Sequence, residues 1–145
     1  MAQAKVPGTQ DTHYQVVVVG AGPTGLITTN LLGQDGIKTL LVEQHESTVS
    51  QPRAVSIDDE ALRTVQSVGL IKEVLDDVAQ DYGSWYFTAT GRCFAKVEPQ
   101  TREFGYPRRN AFQQPRLEAT LRRLFIQPRL ELPDRSITLL DDLIG

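Results

Sequence analysis

Near the start of the chain, Gly20-Ala21-Gly22-Pro23-Thr24-Gly25 follow the pattern G-x-G-x-x-G. The chemistry that such a loop serves is the cradling of a pyrophosphate by backbone N–H groups at the start of a helix. Alone the pattern is weak, but here it has context. Four valines, Val16 to Val19, precede it, a helical stretch follows, and Glu43 comes twenty-three residues after Gly20. Gly20 permits the sharp turn out of a strand, and Gly22, lacking Cβ, lets a pyrophosphate approach. Gly25 lets the helix pack close to the sheet. Pro23 has no N–H to offer, but its fixed φ suits the first helical turn, which it shares with Thr24. Glu43 is placed to accept hydrogen bonds from a ribose, and its charge disfavours a 2′-phosphate. The competing reading is a glycine turn that holds no ligand.

These residues need elements to position them. Tyr14-Gln15-Val16-Val17-Val18-Val19 reads as a strand buried on both faces, as in a parallel sheet. Residues 24–34 read as a helix with Leu26, Ile27, Leu31 and Leu32 as its apolar positions, and Gly33 and Gly36 bracket its end. Residues 37–43 read as a second strand, completing a β-turn-α-β unit. Residues 44–55 read as a loop. Ser56 and Asp59 have the spacing of a capping box, so a helix is expected from Ser56, with Ile57, Ala61, Leu62, Val65 and Val68 as its apolar stripe. Residues 70–79 suggest a further short helix. Trp85–Thr88 and Cys93–Val97 suggest a hairpin, residues 98–113 a loop. Pro115 suits the first turn of a helix carrying Leu117, Leu121 and Leu124.

The 145 residues suit one domain, and 40% hydrophobic residues suffice for a core. The formal net charge of −3 argues against nucleic acid as a partner. Charge is unevenly spread. Residues 56–81 hold seven acids against Arg63 and Lys72, and residues 102–135 hold eight arginines against four acids. Two solvated faces explain that split, and a basic region facing phosphates is the sharper alternative. Cys93 is the one cysteine, so no internal disulfide forms, and it reads as a packed thiol. His13 and His45 offer no zinc-type spacing, and no metal site is expected. Residues 1–14 lack the apolar run of a signal peptide, and no membrane-spanning run is present. A cytoplasmic location is therefore the expectation.

Two further segments carry a family resemblance. Gln51-Pro52-Arg53-Ala54-Val55-Ser56-Ile57-Asp58-Asp59-Glu60-Ala61-Leu62-Arg63 resembles the segment after the second strand in class A flavoprotein monooxygenases. It is closest to the 3-(3-hydroxyphenyl)propionate and phenol hydroxylase branch. Arg109-Asn110-Ala111-Phe112-Gln113-Gln114-Pro115-Arg116-Leu117-Glu118-Ala119-Thr120-Leu121 resembles the family's Q-P-x-L-E-x-x-L helix. The resemblance runs from about Tyr14 to Arg123. It implies that Arg53 reaches FAD and that Gln114 binds the flavin's ribityl region. It also implies that NAD(P)H is the co-substrate and a small phenolic or related aromatic compound the substrate. Without the fingerprint, Arg53 reads as an exposed loop arginine and Gln114 as a helix cap. No side chain is an obvious general base or nucleophile, so no catalytic residue is assigned.

The expected fold is α/β, a partial Rossmann-type FAD-binding domain whose sheet is incomplete. Residues 1–13 form a disordered lead-in, 14–125 the N-terminal portion of the FAD-binding domain, and 126–145 an atypical tail. In that tail Gln114-Pro115-Arg116-Leu117-Glu118 recurs as Gln127-Pro128-Arg129-Leu130-Glu131. The family's later G-D motif is absent, since no Gly-Asp dipeptide occurs and the one Asp-Gly, Asp35-Gly36, is a turn. A non-catalytic fragment or accessory nucleotide-binding protein, and an NAD-binding reductase module, therefore stand as alternatives. A complementing chain or a second copy is a possible partner. The expectation is that this chain alone, given FAD, NADH or NADPH and simple phenols, forms peroxide at most. Hydroxylated product formed in step with nucleotide oxidation would contradict it.

Overall fold

The computed structural model describes residues 13–45, 47–48, 51–126 and 137–139. Its first unit is β1 (Val16–Val19), α1 (Pro23–Gln34) and β2 (Thr39–Glu43). These are followed by β3 (Ser56–Ile57), α2 (Asp59–Ser67), α3 (Ile71–Asp76), β4 (Ser84–Phe87) and β5 (Cys93–Val97). The chain continues through β6 (Asn110–Ala111), α4 (Gln114–Ile126) and β7 (Ile137–Leu139). The strands β1, β2 and β7 form a parallel sheet in the order β1-β2-β7, with Val16 opposite Thr39 and Leu41 opposite Ile137. β3 pairs with β6 and β4 with β5, both antiparallel. The expected βαβ unit and the hairpin are both present, with β2 starting at Thr39 and α1 at Pro23. The lead-in through residue 12 and the repeated Gln127–Glu131 segment lie outside the described residues.

The core fills the space between the sheet and the helices. Leu26 of α1, Leu41 of β2, Leu62 and Val65 of α2 and Leu121 of α4 are almost wholly buried together. Buried polar side chains fasten this packing. Asn30 donates from Nδ2 to the carbonyls of Leu26 (2.8 Å) and Leu121 (3.2 Å), so one amide joins α1 to α4. Asn110 donates to the carbonyls of Ile57 (3.1 Å) and Pro107 (2.7 Å), and its Oδ1 accepts from the N–H of Asp81 (3.2 Å). In a dry interior such bonds are worth keeping, because an unpaired amide there costs about 1–3 kcal/mol.

Three expectations change, and the tail adds a strand. β1 is not buried on both faces: Val17 and Val19 are 56% and 80% exposed, while Val18 packs against the core. The helices cover one face of β1, and its alternate side chains point away from them. The second helix does not start at Ser56. Ser56–Ile57 is paired with Asn110–Ala111, and Asp58 is the residue that caps α2, its Oδ1 accepting from the N–H of Ala61 at 2.8 Å. Ladder pairing at Ser56 outcompetes the capping box, and a carboxylate cap two residues later takes its place. The expected loop over residues 98–113 contains β6 near its end, a strand too short for an alternating pattern to reveal. The tail supplies β7 as a third parallel strand.

α1 lies unusually close to the end of β1. A Cβ built on Gly25 would stand 1.9 Å from the carbonyl oxygen of Gly20 and 3.1 Å from its carbon. Gly25→Ala would gain about 1 kcal/mol of helix propensity. The overlap is with backbone, which cannot rotate away, so displacement of the helix costs roughly 1–3 kcal/mol and should win. A lowered denaturation midpoint for Gly25→Ala is the expected outcome, and an unchanged or raised midpoint would show that the helix moves freely.

Candidate functional site

The polypeptide leaves β1 through Gly20, whose φ of +100° lies in the region that favours glycine. Its N–H donates to the carbonyl of Val42 at 2.7 Å, holding the turn against the neighbouring strand. Gly22 then caps α1 with extended backbone and, having no side chain, makes no side-chain cap bond to the first turn. Pro23 occupies the first helical turn, and Thr24 beside it is exposed. A Cβ on Gly22 would meet nothing within 4 Å. An uncapped helix start with open space at its glycine is favourable ground for an anion, since the helix dipole points its positive end there.

That open space belongs to a cavity of about 450 Å³ lined by Gly22, Glu43, His45, Arg53, Glu118 and Arg122, among others. This lies within the usual range for small-molecule sites. The structure thus brings together Gly22, Glu43 and Arg53 from distant parts of the sequence. Gly20, Pro23, Thr24, Gly25 and Gln114 do not line the cavity but border or support its walls. Gln114 is buried, and its Oε1 accepts from the N–H groups of Arg53 (2.9 Å) and Ala54 (3.0 Å). Its Nε2 donates to Glu118 Oε1 at 2.9 Å. The amide thereby clamps the Arg53 loop onto α4, leaving the Arg53 side chain exposed at the cavity.

Glu118 and Arg122 are the charged lining residues that the sequence reading did not single out as site residues. Gln114, Glu118 and Arg122 recur every four residues, which puts them on one side of α4 next to the apolar Leu117, Leu121 and Leu124. That polar stripe was the available signal. The basic region does not face the cavity as a body. Arg102 pairs with Asp81 (2.7 Å), Arg108 with Glu103 (3.6 Å) and Arg116 with Asp77 (2.7 Å), all at the surface.

Glu43 is held by three backbone donors at the edge of the cavity. Its Oε2 accepts from the N–H of Ala21 at 2.6 Å, and its Oε1 accepts from the N–H groups of Gln44 (2.8 Å) and His45 (3.0 Å). Burial alone would raise the carboxyl's pKa. The three N–H donors, with the charge of Arg122, outweigh burial and hold it below its ordinary 4.5. The ionised carboxylate therefore stabilises the fold fully above pH 4.5, and that contribution disappears as pH falls through the lower folded-state value. Glu43→Gln should accordingly melt below the unmodified chain at neutral pH, with the gap narrowing in acid below pH 4.5. A gap independent of pH would show that the charge is not what the N–H groups recognise.

Residues 13–125 match the family described as FAD binding domain. The 3-(3-hydroxy-phenyl)propionate/3-hydroxycinnamic acid hydroxylases of Escherichia coli and Shigella sonnei are each 51% identical to the chain over 107 residues. That match covers 74% of this chain and 19% of the relative, so the chain spans about a fifth of the length of these curated relatives. Among solved structures, the p-nitrophenol 4-monooxygenase PnpA of Pseudomonas putida superposes with a TM-score of 0.73 at 24% identity. It covers 86% of this chain and 31% of that one. The flavin-dependent monooxygenase PieE, solved with FAD and substrate, gives a TM-score of 0.65 at 21% identity, over 80% of this chain and 22% of that one. At such identities the likeness speaks for the fold. With the family match running over residues 13–125 and a glycine-lined cavity at the helix start, the chain belongs to the FAD binding domain family, with a partial Rossmann-type fold and FAD as its cofactor.

Proposed function

We propose that this chain provides the adenosine and pyrophosphate part of the flavin site of an NAD(P)H-dependent hydroxylase acting on small phenolic or related aromatic compounds. The observation that carries the reading is the cavity at the start of α1, where Gly22 is open and Glu43 stands on the adjoining wall. The 51% identity to hydroxyphenylpropionate hydroxylases supports the choice of substrate class. When bound, FAD supplies the redox chemistry between NAD(P)H, dioxygen and the aromatic substrate.

The chain's own residues bind and orient. Gly20, Pro23, Thr24 and Gly25 set the path of the loop, and Gly22 leaves room for the pyrophosphate against the N–H groups of the first turn. Glu43 accepts from the ribose with the lone pair that its three backbone donors leave free. Arg53 reaches the cofactor from the loop that Gln114 clamps, and Gln114 stands next to the ribityl region. The binding unit is residues 14–125.

Gly22→Val tests the assignment. Because a Cβ there meets nothing, the variant should fold, losing at most about 1 kcal/mol at the helix cap. Its branched side chain would fill the pyrophosphate's space, so FAD binding, measured by calorimetry or quenching of flavin fluorescence, should be lost. A folded Gly22→Val chain that binds FAD as the unmodified chain does would overturn the fingerprint's role.

A further inference from the structure

Two carboxylates, Glu43 and Glu118, line the cavity in which the proposed function places a pyrophosphate. Two phosphate charges entering a partly desolvated space beside them would be repelled unless cations offset the acids. The helix start offers part of that offset, but its effect falls off within a turn. Among the described lining residues, the basic side chains are His45, Arg53 and Arg122. His45 and Arg53 are exposed and lie on loop segments, whereas Arg122 is half-buried and carried by α4. α4 is itself fastened to α1 through Asn30. A cation on a braced helix is already ordered before a ligand arrives, so less freedom is lost on binding. Its charge also reaches Glu43, whose ionised form it favours.

We propose that Arg122 is a phosphate-binding residue of this cavity, holding the dinucleotide's pyrophosphate from the α4 wall. This rests on the FAD reading above and adds a residue that neither the fingerprint nor the Arg53 segment contains. An arginine suits the task because its planar fork meets two phosphate oxygens at once.

The test uses the full chain and three probes: FAD, ADP and adenosine, with affinities read by calorimetry and folding by circular dichroism. Arg122→Gln should weaken FAD and ADP by about tenfold or more, the effect of one charge-assisted hydrogen bond, and leave adenosine unchanged. Arg122→Lys keeps the charge without the fork. It should lose only a few-fold on ADP and nothing on adenosine, and it serves as the reading should Arg122→Gln fail to fold. Equal losses on ADP and adenosine would overturn the proposal in favour of an arginine that only orients Glu43. Unchanged ADP and FAD affinity in both variants would overturn it outright while leaving the FAD reading standing. An unmodified chain that binds none of the three probes would overturn both.

Discussion

The site depends on one carboxylate bridging two strand ends. A parallel sheet brings the C-terminal ends of β1 and β2 side by side, and the crevice beyond them is where ligands settle in open α/β sheets. Glu43 stands at the end of β2 and takes the N–H of Ala21 from the turn that leaves β1. The same group gathers the N–H groups of Gln44 and His45. It thereby shapes the glycine loop from outside while fixing the direction in which its own strand departs. Three donors on a carboxylate leave about one of its four lone-pair positions free. Structural support and ligand contact can then coexist in one side chain.

The wall that α4 supplies is built on a different principle. α4 contributes Leu117 and Leu121 to the core and, on the adjacent side, Gln114, Glu118 and Arg122 to the loop and cavity. Burying one stripe of the helix decides where the other points, so apolar packing sets the geometry of the polar groups beside it. Gln114 shows the economy of this arrangement. One amide satisfies two loop N–H groups and pairs with Glu118, so the loop that carries Arg53 inherits the position of the helix.

The parts of the fold legible in the sequence are those with strong local chemistry. The valine run, the glycine loop, the hairpin around Thr90-Gly91 and the Pro115 helix each announce themselves within a dozen residues. The parts that were not legible depend on distant partners. Ser56–Ile57 carries a plausible helix start, and only pairing with Asn110–Ala111 makes it a strand. The exposure of Val17 and Val19 follows from which face of β1 the helices cover, and a run of identical residues holds no such information. Within the site, Gly22, Glu43 and Arg53 were recognisable from motif and resemblance. Glu118 and Arg122 were not, because a charged pair one helical turn apart reads as solvated surface until the cavity beside it is seen.

The β4–β5 hairpin stands apart from this economy. Trp85, Tyr86, Phe87 and Phe94 are all more than two-fifths exposed, and among the described residues its two strands pair only with each other. Its stabilising contacts are local: Lys96 lies 3.7 Å from the centre of the Trp85 ring, Trp85 Nε1 donates to Glu98 at 2.5 Å, and Tyr86 tilts against Phe94. A two-stranded ribbon with little buried area is marginal in water. Its backbone amides should therefore open to solvent exchange without waiting for the core to unfold, with lower protection in the ribbon than in α1, β2 and α4.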